Sequence, residues 1–141
     1  MLGFSDGGNI ALLFALAFPE RVRRLVLNGA NLFPEGLTES TRREIAQEYD
    51  AALAAGDERQ LELLRLMIDE PHIDPARLAD LRMPVLVIAG TDDMIEPVHT
   101  RLIAESILNA RLAFVEGTHF VAAESPAAFN RVVAAFFDEC R

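Results

Sequence analysis

At 141 residues the chain has the length of one ordinary domain and can bury a core without metals or disulfides. Its 22 acidic and 13 basic residues leave a formal net charge of -9, which works against any broad affinity for nucleic acid phosphates or anionic lipid. No apolar run approaches the roughly 20 residues that span a bilayer, and the single cysteine, Cys140, has no partner for an internal disulfide and reads as a bystander.

The opening stretch has no basic segment before its apolar run, carries Asp6 there instead and shows no cleavage site, so it does not read as an export signal; a cytoplasmic location is expected. From Asp6 to Phe18 the segment DGGNIALLFALAF is apolar on nearly every side, as in a helix buried between a sheet and other helices, and Pro19 ends it. Arg23 to Asn28 (RRLVLN), closed by Gly29, has the pattern of a buried parallel strand. A long insertion spans residues 31–83. Its segments TRREIAQEYDAALAAG and DERQLELLRLMIDE are amphipathic helices by spacing, the second capped by Asp57 with Leu61, Leu64, Met67 and Ile68 on one face. They are expected to form a small helical lid.

DPARLADL then opens with Asp74 as N-cap and Pro75 at the first helical position. Pro84 to Gly90 (PVLVIAG) is a second strand, the loop TDDMIEP precedes a helix over about 98–107, and Arg111 to Val115 is a third, weaker strand. The last helix is capped by Ser125, starts at Pro126 and buries Phe129, Val132, Val133 and Phe136. Strands alternating with helices predict an α/β fold with a parallel sheet covered on both faces. In such sheets the chemistry lies on loops at the C-terminal strand ends. The expected organisation is a core segment 1–30, the insertion 31–83 and the rest of the core 84–141.

Those loops hold the chemistry-bearing residues. Gly3-Phe4-Ser5-Asp6-Gly7 fits G-x-S-x-G immediately before a predicted helix, the context of a nucleophile elbow, where glycines let strand and helix approach. The turn exposes the Ser5 hydroxyl and aims the backbone N–H of Asp6 at a developing oxyanion. The bland alternative is a Gly/Ser turn that only caps the helix. A serine hydroxyl needs a base within hydrogen-bond reach and a carboxylate to orient that base, in the chain order Ser, Asp or Glu, His. Asp93 follows the second strand and His119 the third. Taken singly, Asp93 reads equally as a turn-capping carboxylate and His119 as a satisfied buried histidine. His72 and His99 read as surface or supporting groups. No His/Cys/carboxylate cluster has metal-ligand spacing, so no metal or other cofactor is implied.

Together, GFSDGGNIALLFALAFPERVRRLVLNGA, PVLVIAGTDDMI and EGTHFVAAESPAAFN resemble the C-terminal part of α/β-hydrolase-fold esterases. The elbow is similar to that of the biphenyl hydrolase-like and valacyclovir hydrolase-like branch. The resemblance implies Ser5 as nucleophile, Asp93 as acid through G-x-x-D from Gly90, with Asp92 as rival, and His119 as base within H-x-x-x-x-E-x-P, matched by Glu124 and Pro126. It implies a small-molecule acyl substrate and no nucleic acid or membrane partner. Phe4, Phe33, Met67 and Phe120 are the expected substrate-binding residues, with Leu32 and Ile68 adding to an apolar wall, and the Asp6 carboxylate offers pairing to a substrate cation. In that family strands precede the elbow, so the resemblance implies about three parallel strands here with Met1 and Leu2 as a stub of the preceding one, and a loop among those earlier strands supplies a second oxyanion donor. The resemblance therefore implies a homo-oligomer or a further N-terminal segment that completes the sheet. A catalytically incomplete fragment serving as an assembly module, or a truncated gene product, is the competing expectation.

Overall fold

Four strands form one parallel sheet in the order β1-β2-β3-β4: β1 (Leu2–Phe4), β2 (Leu25–Asn28), β3 (Val85–Asp92) and β4 (Ala110–Thr118). The computed structural model describes residues 1–139, and Cys140 lies outside the described residues. The helices are α1 (Asp6–Ala17), α2 (Glu39–Ala55), α3 (Glu58–Asp69), α4 (Pro97–Ser106), α5 (Val121–Glu124) and α6 (Pro126–Asp138), with 3₁₀ turns at Pro19–Arg21, Pro34–Gly36 and Pro75–Asp80. Among the described residues no helix is long and apolar enough to cross a membrane.

Strand residues alternate between two cores, as the period of two requires. Leu25, Leu27, Val85 and Val87 pack with Leu12 and Ala15 of α1 and Ile103 of α4. Val26, Leu86, Ile88 and Val115 face the opposite way onto Phe129 and Phe136 of α6, with Val132 and Val133 packed alongside. A third cluster, Leu37, Ile45, Ala52, Leu61, Leu64 and Ile95, joins α2 and α3 to the loop after β3. The sheet is thus sandwiched between helices on both faces, as the alternation of segments predicts.

Differences from the sequence reading have local causes. Met1 and Leu2 look like a stub, yet Leu2–Phe4 pairs in register with Val26–Asn28 and makes a fourth strand. β4 runs on through Glu116, Gly117 and Thr118, past the end of its apolar run, because ladder pairing continues to Asp92↔Thr118 across an irregularity after Gly90. Asp74 does cap its segment, accepting from the Ala76 N–H at 2.9 Å, but the turns it opens are 3₁₀ rather than α. α2 starts at Glu39, capped by Thr38, two residues ahead of the predicted segment. Ile68 is exposed rather than on the buried face of α3, since that face rises along Leu61, Leu64 and Met67.

The two glycines of the elbow motif do different work. A Cβ on Gly3 would stand 2.2 Å from the Gly7 carbonyl oxygen and 2.7 Å from Gly8 Cα, so β1 and α1 touch through backbone there. A Cβ on Gly7 meets nothing within 4 Å. Gly3→Ala should therefore cost about 3 kcal/mol or more through overpacking, whereas Gly7→Ala should stay within about 1 kcal/mol of wild type, on the stabilising side. Paired chemical-denaturation curves check the contrast.

Candidate active site

The turn from β1 into α1 holds Ser5 at φ 53°, ψ -126°, a backbone state that costs a non-glycine residue about 1–3 kcal/mol and persists only where its surroundings over-determine it. They do so here. The Ser5 N–H donates to the Asn28 carbonyl at 2.8 Å, and the Ser5 carbonyl accepts from the Gly8 and Asn9 N–H groups at 2.8 and 3.2 Å. The side chain is thereby turned off the strand end. Asp6 opens α1, so its N–H has no partner within the helix and sits at the positive end of the helix dipole.

The loops after β3 and β4 meet this turn. His119 is buried, with Nε2 3.0 Å from Ser5 Oγ and Nδ1 2.7 Å from Asp93 Oδ1. Asp93 is buried too. Its Oδ1 also accepts from the Ile95 N–H and its Oδ2 from the Gly90 N–H, both at 3.1 Å, so the carboxylate's orientation is fixed before it meets the imidazole. Asp92 is exposed at the end of β3 and does not reach His119. Of the two rivals, the structure puts Asp93 against the imidazole.

Two groups hold the imidazole's own loop. Glu124 accepts from the Thr118 N–H at 2.7 Å and from the Thr118 hydroxyl at 2.8 Å, bracing the residue before His119. Those bonds hold the Glu124 carboxyl below the usual carboxylate range, the backbone bond contributing most. Beneath the ring lies Gly29, at φ 61°; a Cβ there would come within 2.7 Å of His119 Cε1 and 2.8 Å of Nδ1. This glycine, legible in the sequence only as the end of a strand, makes room for the imidazole.

A cavity of about 300 Å³ opens over Ser5, lined by Phe4, Asp6, Asn31, Leu37, Met67, Glu70, Met94, Ile95, His119 and Phe120. Phe4 and Phe120 also pack on the imidazole, with centroid separations of 4.8 and 5.7 Å. Of the expected substrate-binding residues, Phe4, Met67 and Phe120 stand on this wall. Phe33 does not: its ring packs edge-on against His99 at 4.6 Å and joins the core beside α1. Leu32 is fully buried in that core, and Ile68 lines a separate hollow between α2 and α3.

Sequence reasoning missed Asn31, which lines the cavity and exchanges two 3.0 Å hydrogen bonds with Asn9 of α1, its N–H and Oδ1 meeting that side chain's Oδ1 and Nδ2. Its only signal was a polar residue directly behind a buried strand. Glu70, at the end of α3, was equally unmarked. The wall therefore carries two carboxylates and no Lys or Arg. Among the described residues no group of three or more His, Cys, Asp or Glu is placed to hold a metal ion.

His72 is exposed, whereas His99 is buried on α4, away from the cavity, with Nε2 accepting from the Leu32 N–H at 2.9 Å. Burial pushes His99 below its ordinary value, with Glu35 acting weakly the other way. A histidine whose folded pKa is depressed adds stability that is whole above the unfolded value of about 6.5 and is lost as pH falls through the folded one. Melting temperatures should therefore drop below that pH in wild type, with a smaller drop in His99→Gln, which keeps an acceptor but cannot titrate. Independently, Gly29→Ala should displace the imidazole. The downfield Nδ1 proton resonance of His119 should then be lost while the far-ultraviolet circular dichroism stays native.

No protein-family model matches the sequence. The chain is 34% identical over 176 residues to part of the polyketide synthase ThaQ of Burkholderia thailandensis, the match covering 99% of the chain and 8% of that protein. It is 32% identical over 176 residues to a 2-hydroxy-6-oxononadienedioate/2-hydroxy-6-oxononatrienedioate hydrolase of Cupriavidus pinatubonensis, covering 96% of the chain and 61% of the relative. Among solved structures it superposes on the meta-cleavage product hydrolase CumD of Pseudomonas fluorescens IP01 with a TM-score of 0.73 at 24% identity, over 99% of the chain and 64% of that structure. The chain thus spans less than two thirds of the length of these proteins.

Proposed function

Because the chain belongs to the α/β-hydrolase fold superfamily and carries the C-terminal part of that fold, we propose that it supplies the chemistry of a serine hydrolase acting on carboxylic esters or related acyl compounds. The observation that carries this reading is the continuous hydrogen-bonded chain from the Ser5 hydroxyl through His119 to Asp93. In it, His119 Nε2 takes the Ser5 proton as Oγ attacks the acyl carbon. The imidazolium is stabilised by Asp93, and the Asp6 N–H holds the oxyanion. The proton then passes to the leaving group, which departs and leaves Ser5 acylated. His119 next activates a water that releases the acid and restores the hydroxyl. Helices α2 and α3 act as the lid, with Met67 as its contribution to the wall.

The wall favours the class of acyl group. Phe4, Leu37, Met94, Ile95 and Phe120 suit an apolar chain of small or medium size, and the Asp6 and Glu70 carboxylates disfavour an anionic one. A dicarboxylate, as in the name of the Cupriavidus relative, is thus a poor match for this wall. A neutral ester, or one bearing an amine, suits it better.

A fluorophosphonate probe should label the chain at Ser5, with no labelling of Ser5→Ala and a rate reduced by about three to four orders of magnitude in Asp93→Asn. One observation favours a second reading. The turn at Ser5 supplies the Asp6 N–H, and an oxyanion hole without its second donor typically loses roughly 10² to 10³ in turnover. Cooperatively folded protein that takes no label would replace the enzyme reading with that of a non-catalytic assembly module.

A further inference from the structure

Leu32 is a crossing point for the insertion that carries α2 and α3. Its side chain is fully buried, and both of its backbone groups bond outside the sheet ladder. The carbonyl accepts from the Ile73 N–H at 2.7 Å, so the outgoing end of the insertion is tied to its incoming end. The N–H donates to His99 Nε2 at 2.9 Å. A buried backbone N–H needs an acceptor, and here the acceptor is a side chain of α4 in place of a neighbouring strand.

The imidazole is held for that bond. Phe33 meets it edge-on at 4.6 Å, and Gly36 lies so close that a Cβ there would stand 2.6 Å from Nε2. Gly36 is itself fastened to the start of α4, its carbonyl accepting from the Glu96 N–H at 2.8 Å, and the Thr38 N–H donates to the Met94 carbonyl at 2.8 Å. Residues 32–38 thus pass around the His99 ring before α2 begins at Glu39. The wall of the Ser5 cavity is attached at the same place. Asn31 directly precedes Leu32, Leu37 bridges to Ile95 between the two ties to α4 and its loop, Met67 stands in the last turn of α3, and Glu70 follows shortly before Ile73.

We infer that His99 is the positioning residue of the lid. Its unprotonated Nε2 holds Leu32, Leu32 joins both ends of the insertion, and one imidazole in the core thereby sets where Asn31, Leu37, Met67 and Glu70 stand over Ser5. The ring itself does not line the cavity. A histidine serves here because the neutral form protonated at Nδ1 presents Nε2 as an acceptor. The effect on catalysis rests on the reading of Ser5 as nucleophile; the tie itself does not.

Residue-resolved hydrogen exchange of the full chain tests the tie, comparing wild type with His99→Leu and with His99→Gln, which keeps an acceptor oxygen. In His99→Leu the Ile73, Thr38 and Glu96 amides, none bonded to the His99 ring, should exchange about tenfold faster or more while the β2–β3 ladder keeps its protection, since one unit opens without the rest. His99→Gln should recover most of that protection. Nitrogen resonances of wild-type His99 should report a neutral ring with its proton on Nδ1. Inactivation by an alkyl fluorophosphonate separates positioning from chemistry: His99→Leu should raise the half-saturating probe concentration about tenfold and leave the saturated rate unchanged. If wild type takes no label, the hydrolase reading falls and exchange alone decides the tie. If His99→Leu does not fold, Gly36→Ala takes its place, because its Cβ would displace the same ring. The inference is overturned by a folded variant whose three amides exchange as in wild type, by exchange raised equally across β3, by a labelling defect confined to the saturated rate, or by a ring proton on Nε2.

Discussion

Backbone has to approach backbone, or an imidazole ring, at the C-terminal end of three neighbouring strands, and that requirement organises everything above it. Each of these strands carries at or near its end a glycine whose missing Cβ leaves room for a neighbouring segment. Gly3 of β1 lies against the Gly7 carbonyl, Gly29 after β2 against the His119 ring, and Gly90 in β3 against the Thr118 carbonyl, which a Cβ would meet at 2.2 Å. A methyl group at Gly3 would part β1 from α1 on either side of Ser5, one at Gly29 would displace the His119 ring, and one at Gly90 would separate the loops that carry Asp93 and His119. The site is thus built first from absences of side chain, and the reactive groups occupy the room those absences leave.

The parallel sheet explains why three loops so distant in sequence arrive together. Its strands pair in chain order, so successive C-terminal ends lie about one strand spacing, roughly 4.8 Å, apart. Ser5 and His119 leave the ends of β1 and β4, too far apart for the two loops to meet by adjacency alone. The His119 loop closes the distance by folding back across the strand ends to rest on Gly29, held by Glu124 through Thr118. The carboxylate waits midway, tied to β3 by the Gly90 amide and to its own loop by that of Ile95.

Much of this was legible in the sequence, for identifiable reasons. The runs RRLVLN and PVLVIAG announce buried strands because both of their faces are covered, and the Ser, Asp, His order survives any uncertainty about strand limits. Between Asp92 and Asp93 the G-x-x-D resemblance favours Asp93 without excluding its rival; adjacent residues at a strand end point to opposite sides, and the coordinates put the Asp93 carboxylate against the histidine. The wall was harder still. Phe33 and Met67 are both apolar residues of the same insertion, yet one turns into the core beside His99 and the other toward Ser5. That distinction depends on how α3 packs against the loop after β3, through contacts that span residues far apart in the chain. Asn31 and Glu70 escaped for the same reason: a polar residue beside a strand or helix end is commonplace until a cavity is found in front of it.

The same geometry that builds the site ties the nucleophile turn to the first strand. β1 (Leu2–Phe4) ends where the chain turns out of it at Ser5 with φ 53°, so the strand that pairs with β2 also anchors the strained turn. Strain of this kind is kept only while the flanking hydrogen bonds hold, and those of Ser5 run to β2 on one side and into α1 on the other. Any freedom gained by Leu2 and Phe4 passes to the turn between Phe4 and Asp6, since neighbouring backbone opens as one unit. The pairing of the first strand and the order of the nucleophile turn are therefore one mechanical question, because the residues that form the strand are the same ones that hold the turn.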